Sequence, residues 1–310
     1  MYQLKRILVC MDFSDIDEYA IRYASIVGKM MQSDTVYFLH VAKNLDLPKE
    51  LEEKFRNVLA PVDETIKHQV KDAVNKYFTK EGDTETHIDV LEGTKPTEAI
   101  IKYAKRKDVD LIVLGKHSSK HKEGPKVASG KVAELSHCSV LLVSRNKEVK
   151  IDSVLVALDF SDFSALALEQ AQKFREQNPS LKIYGLQVYN VPSGYHKTGK
   201  SYEEFAEIMK GHAQNDAKKF FKKHPELKEE WCEVHYQLNN NNRVDDELSK
   251  FAQEKKVDMI MIGSQGRTPA ASFMLGSVAE HILHYHDNLP IFVVKEKNHN
   301  MSFLEALLKL

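Results

Sequence analysis

Two hydrophobic patterns alternate along the chain. Short runs rich in Val, Ile and Leu, such as Leu111-Ile-Val-Leu114 and Met259-Ile-Met-Ile262, read as strands buried on both faces. Between them, apolar residues return with helical period. Ala20, Ala24 and Val27 sit at i, i+4, i+7, and Ala167, Ala171 and Phe174 repeat that spacing later in the chain. Ser14 and Ser161, just ahead of these two patterns, are expected to cap the helices. Further strands are predicted over 36–41, 87–91 and 140–143, and again over 183–188, 233–238 and 291–294. Between the third and fourth strands of each set lies a helix, with Ile100, Ile101 and Ala104 on one face in the first and Val244, Leu248, Phe251 and Ala252 in the second. Apolar strands alternating with helices predict a parallel sheet covered on both sides.

The order of elements is the same in both sets, because the sequence repeats. Arg6-Ile-Leu-Val-Cys-Met-Asp12-Phe-Ser-Asp15 returns as Ser153-Val-Leu-Val-Ala-Leu-Asp159-Phe-Ser-Asp162, a shift of 147. Leu39-His-Val41 returns as Leu186-Gln-Val188 at the same shift. Asp110-Leu-Ile-Val-Leu-Gly115 answers Asp258-Met-Ile-Met-Ile-Gly263 at 148, and Gly130-Lys-Val-Ala-Glu134 answers Gly276-Ser-Val-Ala-Glu280 at 146. Four anchors in one order define two copies of one domain, expected over residues 1–146 and 151–297. The charged stretches 48–82 and 201–230 carry embedded apolar residues: Phe55, Val58, Leu59, Val74, Tyr77 and Phe78 in one, Phe205, Ile208, Phe220 and Phe221 in the other. They read as amphipathic helices rather than disordered inserts. Residues 298–310 have no counterpart in the first copy, and their stripe of Phe303, Leu304, Leu307, Leu308 and Leu310 reads as an amphipathic tail that docks on its own body or on a second chain.

Composition narrows the function classes. Lys plus Arg (44) nearly balance Asp plus Glu (45), so no overall field draws the chain to nucleic acid or to an anionic membrane. No apolar run approaches the roughly 20 residues of a membrane helix, and the N-terminal residues lack a signal-peptide pattern. Three scattered cysteines, Cys10, Cys138 and Cys232, are too few for a disulfide framework or a cysteine zinc site, and Cys10, inside an apolar strand, reads as a small hydrophobe. A cytoplasmic protein is the expectation. His281, His284 and His286, with His117 and His121, lack a carboxylate or thiol at ligand spacing, and no metal site is expected there.

Candidate chemistry lies at strand ends, because an open parallel sheet binds ligands beyond the carboxyl ends of its strands. After Gly263 the glycines are spaced Gly-x2-Gly-x9-Gly-Ser through Gly266 and Gly276-Ser277. Such glycines admit close backbone approach and positive φ, and Gly276-Ser277 opening a helix offers unpaired amides, a hydroxyl and the positive end of the helix dipole. Together these form a plausible polyphosphate cradle. Arg267 either adds a charge to it or is a solvated loop residue. Asp12 and Asp159 end their strands and could serve only to favour a helix start.

Asp at the end of strand one, Val in a Leu-x-Val second strand and Gly-x2-Gly-x9-Gly-Ser after strand four together resemble the adenine-nucleotide-binding form of the universal stress protein family. The resemblance covers both copies and excludes only the tail. It implies two tandem Rossmann-like domains of the adenine nucleotide alpha hydrolase-like type, each a five-stranded parallel sheet with helices on both faces, paired through their last strands. A homodimer stays open. It further implies that Asp159 faces ribose or a metal, that the Val188 backbone holds adenine, and that Gly263, Gly266, Gly276, Ser277 and Val278 hold ribose and phosphates. Ala157, Ile262 and Arg267 would complete the site. The implied ligand is ATP, or ADP or AMP, with Mg2+ as an optional companion.

The first copy departs from that pattern. Asp12, Val41 and Gly115 are in place, but Ser118 stands where the second glycine belongs and Lys131 replaces the serine after Gly130. Gly115 to Gly130 spans 15 positions against 13 for Gly263 to Gly276, and Lys116, Lys120, Lys122 and Lys126 fill the loop. A degenerate site is the expectation. The Asn239–Asn242 run is turn-forming, with no role legible from the residues. No Gly-x4-Gly-Lys-Ser/Thr phosphate loop and no kinase-type Lys/Asp/Asn set is expected, which favours a binding or regulatory module. Slow ATP hydrolysis at Asp159, an ATP-consuming enzyme on the same sheet, and a nucleotide-free scaffold acting through its tail are the alternatives.

Overall fold

The structure is a computed structural model that describes residues 3–42, 62–80, 82–93, 95–116, 129–146, 148–240, 243–266, 275–285 and 289–297. It divides into two compact units, Met1–Val149 and Lys150–Leu310. The first contains β1 (Arg6–Met11), α1 (Asp17–Met31), β2 (Thr35–Ala42), α2 (Val62–Tyr77), β3 (Glu85–Glu92), α3 (Pro96–Arg106), β4 (Leu111–Gly115), α4 (Ser129–Leu135) and β5 (Ser139–Val143). The second contains β6 (Ser153–Ala157), α5 (Asp162–Gln177), β7 (Lys182–Tyr189), α6 (Tyr202–Lys223), β8 (Cys232–Leu238), α7 (Val244–Lys255), β9 (Met259–Gly263), α8 (Ser277–Tyr285) and β10 (Ile291–Val294).

Within the first unit the strand order is β3-β2-β1-β4-β5, and within the second it is β8-β7-β6-β9-β10. The pairings β1–β2, β1–β4, β2–β3 and β4–β5 are parallel, as are β6–β7, β6–β9, β7–β8 and β9–β10. Each unit is therefore an open parallel sheet whose strand order reverses beside its first strand, the place where such sheets bind ligands. Every residue of β5, β9 and β10 is buried, so both sheet faces are covered. The helical stripes face inward as their spacing predicts: Ala20, Ala24 and Val27, and likewise Ala167, Ala171 and Phe174, are fully buried.

An acidic residue at the head of β4 and of β9 explains why the repeat keeps an Asp there. An Asp110 carboxylate oxygen accepts the backbone N–H groups of Lys5 and Arg6 at 3.0 and 2.8 Å, fastening the start of β1. Asp258 does the same for β6, accepting from the amides of Asp152 and Ser153 at 2.9 and 2.8 Å and from the Ser153 hydroxyl at 3.0 Å. These amides precede or open their strands, where no ladder partner fully serves them.

Two local expectations are corrected. Ser161 caps α5 by accepting the Ser164 amide, but Ser14 does not cap α1. That helix starts later, with Ile16 in the cap position and no side-chain cap, because the Asp17 carboxylate turns back to accept the amides of Asp12 and Phe13. Ile208 is exposed, since the inward face of α6 is made instead by Ala206, Ala213, Ala217, Phe220 and Phe221. Ser201 and Glu204 form a capping box that opens this helix. Val74 is buried on α2, while Phe55, Val58, Leu59 and the 298–310 tail lie outside the described residues.

Candidate functional site

β6 ends at Ala157, and the chain turns sharply through Leu158-Asp159-Phe160-Ser161. Phe160 adopts φ 62°, a left-handed conformation that costs free energy in a bulky residue. Asp159 stabilises the turn: its Oδ1 accepts the Ser161 amide at 3.0 Å and the Ser161 hydroxyl at 2.6 Å. The Ser161 oxygen in turn accepts the Ser164 amide at 3.2 Å, so one chain of hydrogen bonds fixes the carboxylate relative to the start of α5.

Opposite this turn, β9 delivers Gly263. The Ser264 amide donates to Val294 O at 3.0 Å, and the Gly276 amide returns to Ser264 O at 2.9 Å, drawing the start of α8 back to the strand end. None of the three motif glycines has positive φ; the described glycines that do are Gly82, Gly194 and Gly199. The conformational reason anticipated from sequence is therefore wrong, and close approach is the operative one at Gly263 and Gly266. A Cβ on Gly263 would stand 2.6 Å from Phe163 O, and one on Gly266 would stand 2.9 Å from Asp159 Oδ2. A Cβ on Gly276 would meet only ordinary contacts, the nearest at 3.5 Å.

Between these elements lies a cavity of about 460 Å³. Ala157, Asp159, Val188, Ile262, Gly263, Gly266, Gly276, Ser277 and Val278, the residues implied by the resemblance, all line it. Arg267 lies outside the described residues. Sequence reasoning missed Leu158, Ser164, Leu186, Gln187, Val244, Leu248, Gln265, Leu275 and Ala279. Val244 and Leu248 carried a signal, the apolar face of α7, but that face read as core. The β7–α7 side of the cavity is formed by Leu186, Val188, Val244 and Leu248, and the β9–α8 side supplies glycine backbone, Ser277 and the first amides of a helix, which have no carbonyl one turn back to bond. Among the described lining residues, Asp159 is the only charged side chain. A phosphate here would be held by backbone dipoles, and Asp159 would need a hydroxyl or a cation between itself and any anion.

The equivalent place in the first unit is built differently. Asp12 keeps the turn, accepting the Ser14 amide at 3.1 Å, and Phe13 repeats the left-handed φ at 61°. The residue matching Ser164, however, is Asp17, whose oxygens accept the Asp12 and Phe13 amides at 3.2 and 2.8 Å. Burial, reinforced by the neighbouring Asp12, pushes this carboxyl up to about 7 against the pull of the two amides. His40, in the place of Gln187, puts Nδ1 2.9 Å from Met11 O and lies under the Phe13 ring at 4.3 Å, and burial holds it below its ordinary pKa. Gly130 is the second residue of α4, and Lys131 pairs with Glu134 at 3.2 Å. Val41 and Gly115 are half-buried, Lys116 is buried, and Ser118, Lys120, Lys122 and Lys126 lie outside the described residues.

Other candidates find structural roles. Asn239 closes the turn after β8, its amide donating to Tyr189 O at 2.8 Å and its Oδ1 accepting the Arg243 amide at 3.2 Å. His281 reaches Asp245 at 3.7 Å, linking α8 to α7. Among the described residues, no three His, Cys, Asp or Glu side chains are grouped to hold a metal, and no helix is long and apolar enough to cross a membrane. Cys10, Cys138 and Cys232 are all buried and none forms a disulfide, and burial raises the Cys232 thiol to about 12.

An open parallel sheet whose strand order reverses beside its first strand defines a Rossmann-like α/β fold, here in two copies, of which the second carries the glycine-lined helix start facing a strand-end aspartate. The model of the universal stress protein family matches residues 3–144 and again 150–295, and the chain belongs to that family. Universal stress protein MJ0577 of Methanocaldococcus jannaschii is 28% identical over 163 residues, 48% of this chain and 98% of that protein. Among solved structures, a universal stress protein from Archaeoglobus fulgidus aligns with TM-score 0.58 at 18% identity, covering 95% of this chain and 99% of that one. A putative universal stress protein from Pseudomonas aeruginosa aligns with TM-score 0.64 at 14% identity, covering 99% and 98%. These two likenesses establish the shared fold over 95% and 99% of the chain.

Proposed function

We propose that the protein is a stress-response binding module that holds ATP, or ADP or AMP, in the cavity of its second unit, with little or slow hydrolysis. The observation that carries this reading is the single cavity joining the Asp159 turn, the Gly263–Gly266 loop and the first turn of α8 to an apolar wall of Val188, Val244 and Leu248. The base packs on the apolar wall, with the Val188 backbone at its edge. Ribose and phosphates take the Asp159, Gly263, Gly266, Gly276, Ser277 and Val278 side, where Asp159 would hold a Mg2+ ion whose charge would offset that of the phosphates. In the first unit the Asp17 carboxyl supports a degenerate site, because it replaces a hydroxyl with a group that turns anionic as pH rises. The working domains are residues 1–146 and 151–297, with 298–310 as a tail. Three buried cysteines outside any disulfide fit the cytoplasmic setting we propose.

The test is to purify the protein without added nucleotide, denature it and chromatograph what is released, then titrate stripped protein with ATP and magnesium by calorimetry. One adenine nucleotide per chain is expected. Absence of both carried and titrated nucleotide would overturn the proposal, and turnover many times per minute would replace it with the enzyme reading. Comparing the mass in solution with and without residues 301–310 tests whether the tail joins two chains.

A further inference from the structure

Outside the cavity, Gly194-Tyr-His-Lys-Thr-Gly199-Lys200-Ser201 spells the Gly-x4-Gly-Lys-Ser spacing between β7 and α6. The string is present, contrary to expectation, but the phosphate loop is not. Its middle winds into a short 3-10 helix over Tyr195–Thr198, and Ser201 and Glu204 close the start of α6 as a capping box. These bonds occupy the amides of Lys197, Gly199, Ser201 and Glu204 that a phosphate would need.

We propose that the turn between β1 and α1 is a pH-sensitive switch: Asp12 and Asp17 share one proton while the turn is closed, and loss of that proton opens the turn and lifts Phe13 from His40. The geometry is a pair of carboxyl groups held together by the backbone. Asp17 is 7% exposed, and its two oxygens accept the Asp12 and Phe13 amides at 3.2 and 2.8 Å. The Asp12 carboxyl, which accepts the Ser14 amide at 3.1 Å, also lies within hydrogen-bonding reach of the Asp17 carboxyl. Two carboxylates so placed repel, so one keeps its proton to higher pH. Burial and then Asp12 push the Asp17 carboxyl up to about 7. The described groups around the pair are Cys10 on β1 and His40 on β2, both kept uncharged by burial, Lys116 buried at the end of β4, and Arg145 after β5, which pairs with Asp15. On α2, which packs against α1, the buried positions are Val70 and Val74.

Phe13 makes the turn ready to open. It holds φ 61°, a strained conformation for a bulky residue, and its ring is 43% exposed, resting on His40 at 4.3 Å. Opening relieves the strain and lets water reach both carboxylates and the amides they held. The second unit has the same turn without the switch. Phe160 repeats φ 62° but packs on Phe220 at 5.4 Å, and Ser164, whose hydroxyl does not ionise in this range, stands where Asp17 does.

The experiment measures amide hydrogen exchange of the full chain at pH 6 and pH 8.5, on either side of the Asp17 value, as protection factors that remove the intrinsic pH dependence of exchange. At pH 8.5 the Phe13 and Ser14 amides should fall to within about tenfold of an unstructured chain, while Ile112 and Val113 of β4 stay about a hundredfold or more better protected. The Phe160 and Ser161 amides should change by less than about threefold between the two pH values. Asp17→Asn keeps an acceptor and cannot ionise, so its turn should stay protected at both. A wild-type turn equally protected at both pH values overturns the proposal, as does a turn that still opens in Asp17→Asn. Protection of β4 falling to the level of the turn would mean that the whole unit opens, which overturns it too. If Asp17→Asn does not fold, Asp17→Ser, which installs the residue of the second unit, takes its place with the same expectation.

Discussion

The three motif glycines should separate cleanly into fold and site when each receives a side chain. At Gly263 an added Cβ would stand 2.6 Å from the oxygen and 2.7 Å from the carbon of the Phe163 carbonyl, both backbone atoms at the start of α5. Neither can rotate away, so Gly263→Ala must shift strand or helix, at a cost of about 1–3 kcal/mol. For a unit of this size that lowers the melting transition by roughly 2–12 °C. At Gly266 the obstacle is the terminal Oδ2 of Asp159, at 2.9 Å, which can swing aside. Gly266→Ala should therefore cost less than about 1 kcal/mol of stability while displacing the carboxylate from the ligand side. At Gly276 the nearest atoms lie 3.5 Å away, so Gly276→Val should melt within a few degrees of wild type but narrow the cavity beside α8 and weaken ATP binding by about tenfold or more. Scanning calorimetry of nucleotide-free proteins and titration with ATP measure the two effects independently. If Gly276→Val melts as low as Gly263→Ala, or Gly263→Ala melts with wild type, the assignment of one glycine to packing and the other to ligand space is wrong.

Two further substitutions probe the electrostatic features. Asp17 has a folded pKa of about 7 against an ordinary 3.8, so the folded state holds an extra proton between those values. The associated stability is complete below the lower value and lost as pH rises through the upper one. The first unit should lose about 2–3 kcal/mol between pH 5 and pH 8 from this group, and Asp17→Asn should remove that loss in urea unfolding. His40 contributes with the opposite sign but is present in both proteins, so the difference isolates Asp17. An identical pH slope in the variant would contradict the assignment. Asp258→Ala should destabilise the second unit by about 2–4 kcal/mol by stranding the Asp152 and Ser153 amides, measured as a drop in its denaturant midpoint, whereas a neutral result would show water serves them equally well.

The order of elements along the chain, the helix faces and the strand-end location of the cavity were legible because they depend on period and spacing, which a repeat displays twice. Ala20, Ala24 and Val27 could be placed inside from their positions alone. The Asp110 and Asp258 anchors were visible as a repeated letter, but their purpose was not, since it lies in backbone groups over a hundred residues away. Ser14 was misread for a related reason: capping preference is local, and a carboxylate three residues further on took over the turn. The mouth of the cavity followed from the glycine spacing, whereas its wall did not, because Val244 and Leu248 satisfy the same apolar pattern whether they face a core or a base. Gln187 did leave a trace, as a polar residue inside the apolar Ile183–Val188 run.

The position of β6 at the middle of its sheet governs how the site exchanges with solvent. Val154, Leu155 and Val156 are fully buried between β7 and β9, and the Asp258 anchor fastens the far end of the strand. Amides on such a strand exchange hydrogen only when the whole unit opens. The floor beneath Asp159 is therefore preformed, and a ligand meets it without waiting for a rare conformer. Any adjustment to a ligand is then left to the rim, where Gln265, Gly266 and the first turn of α8 lie beyond the strand ends.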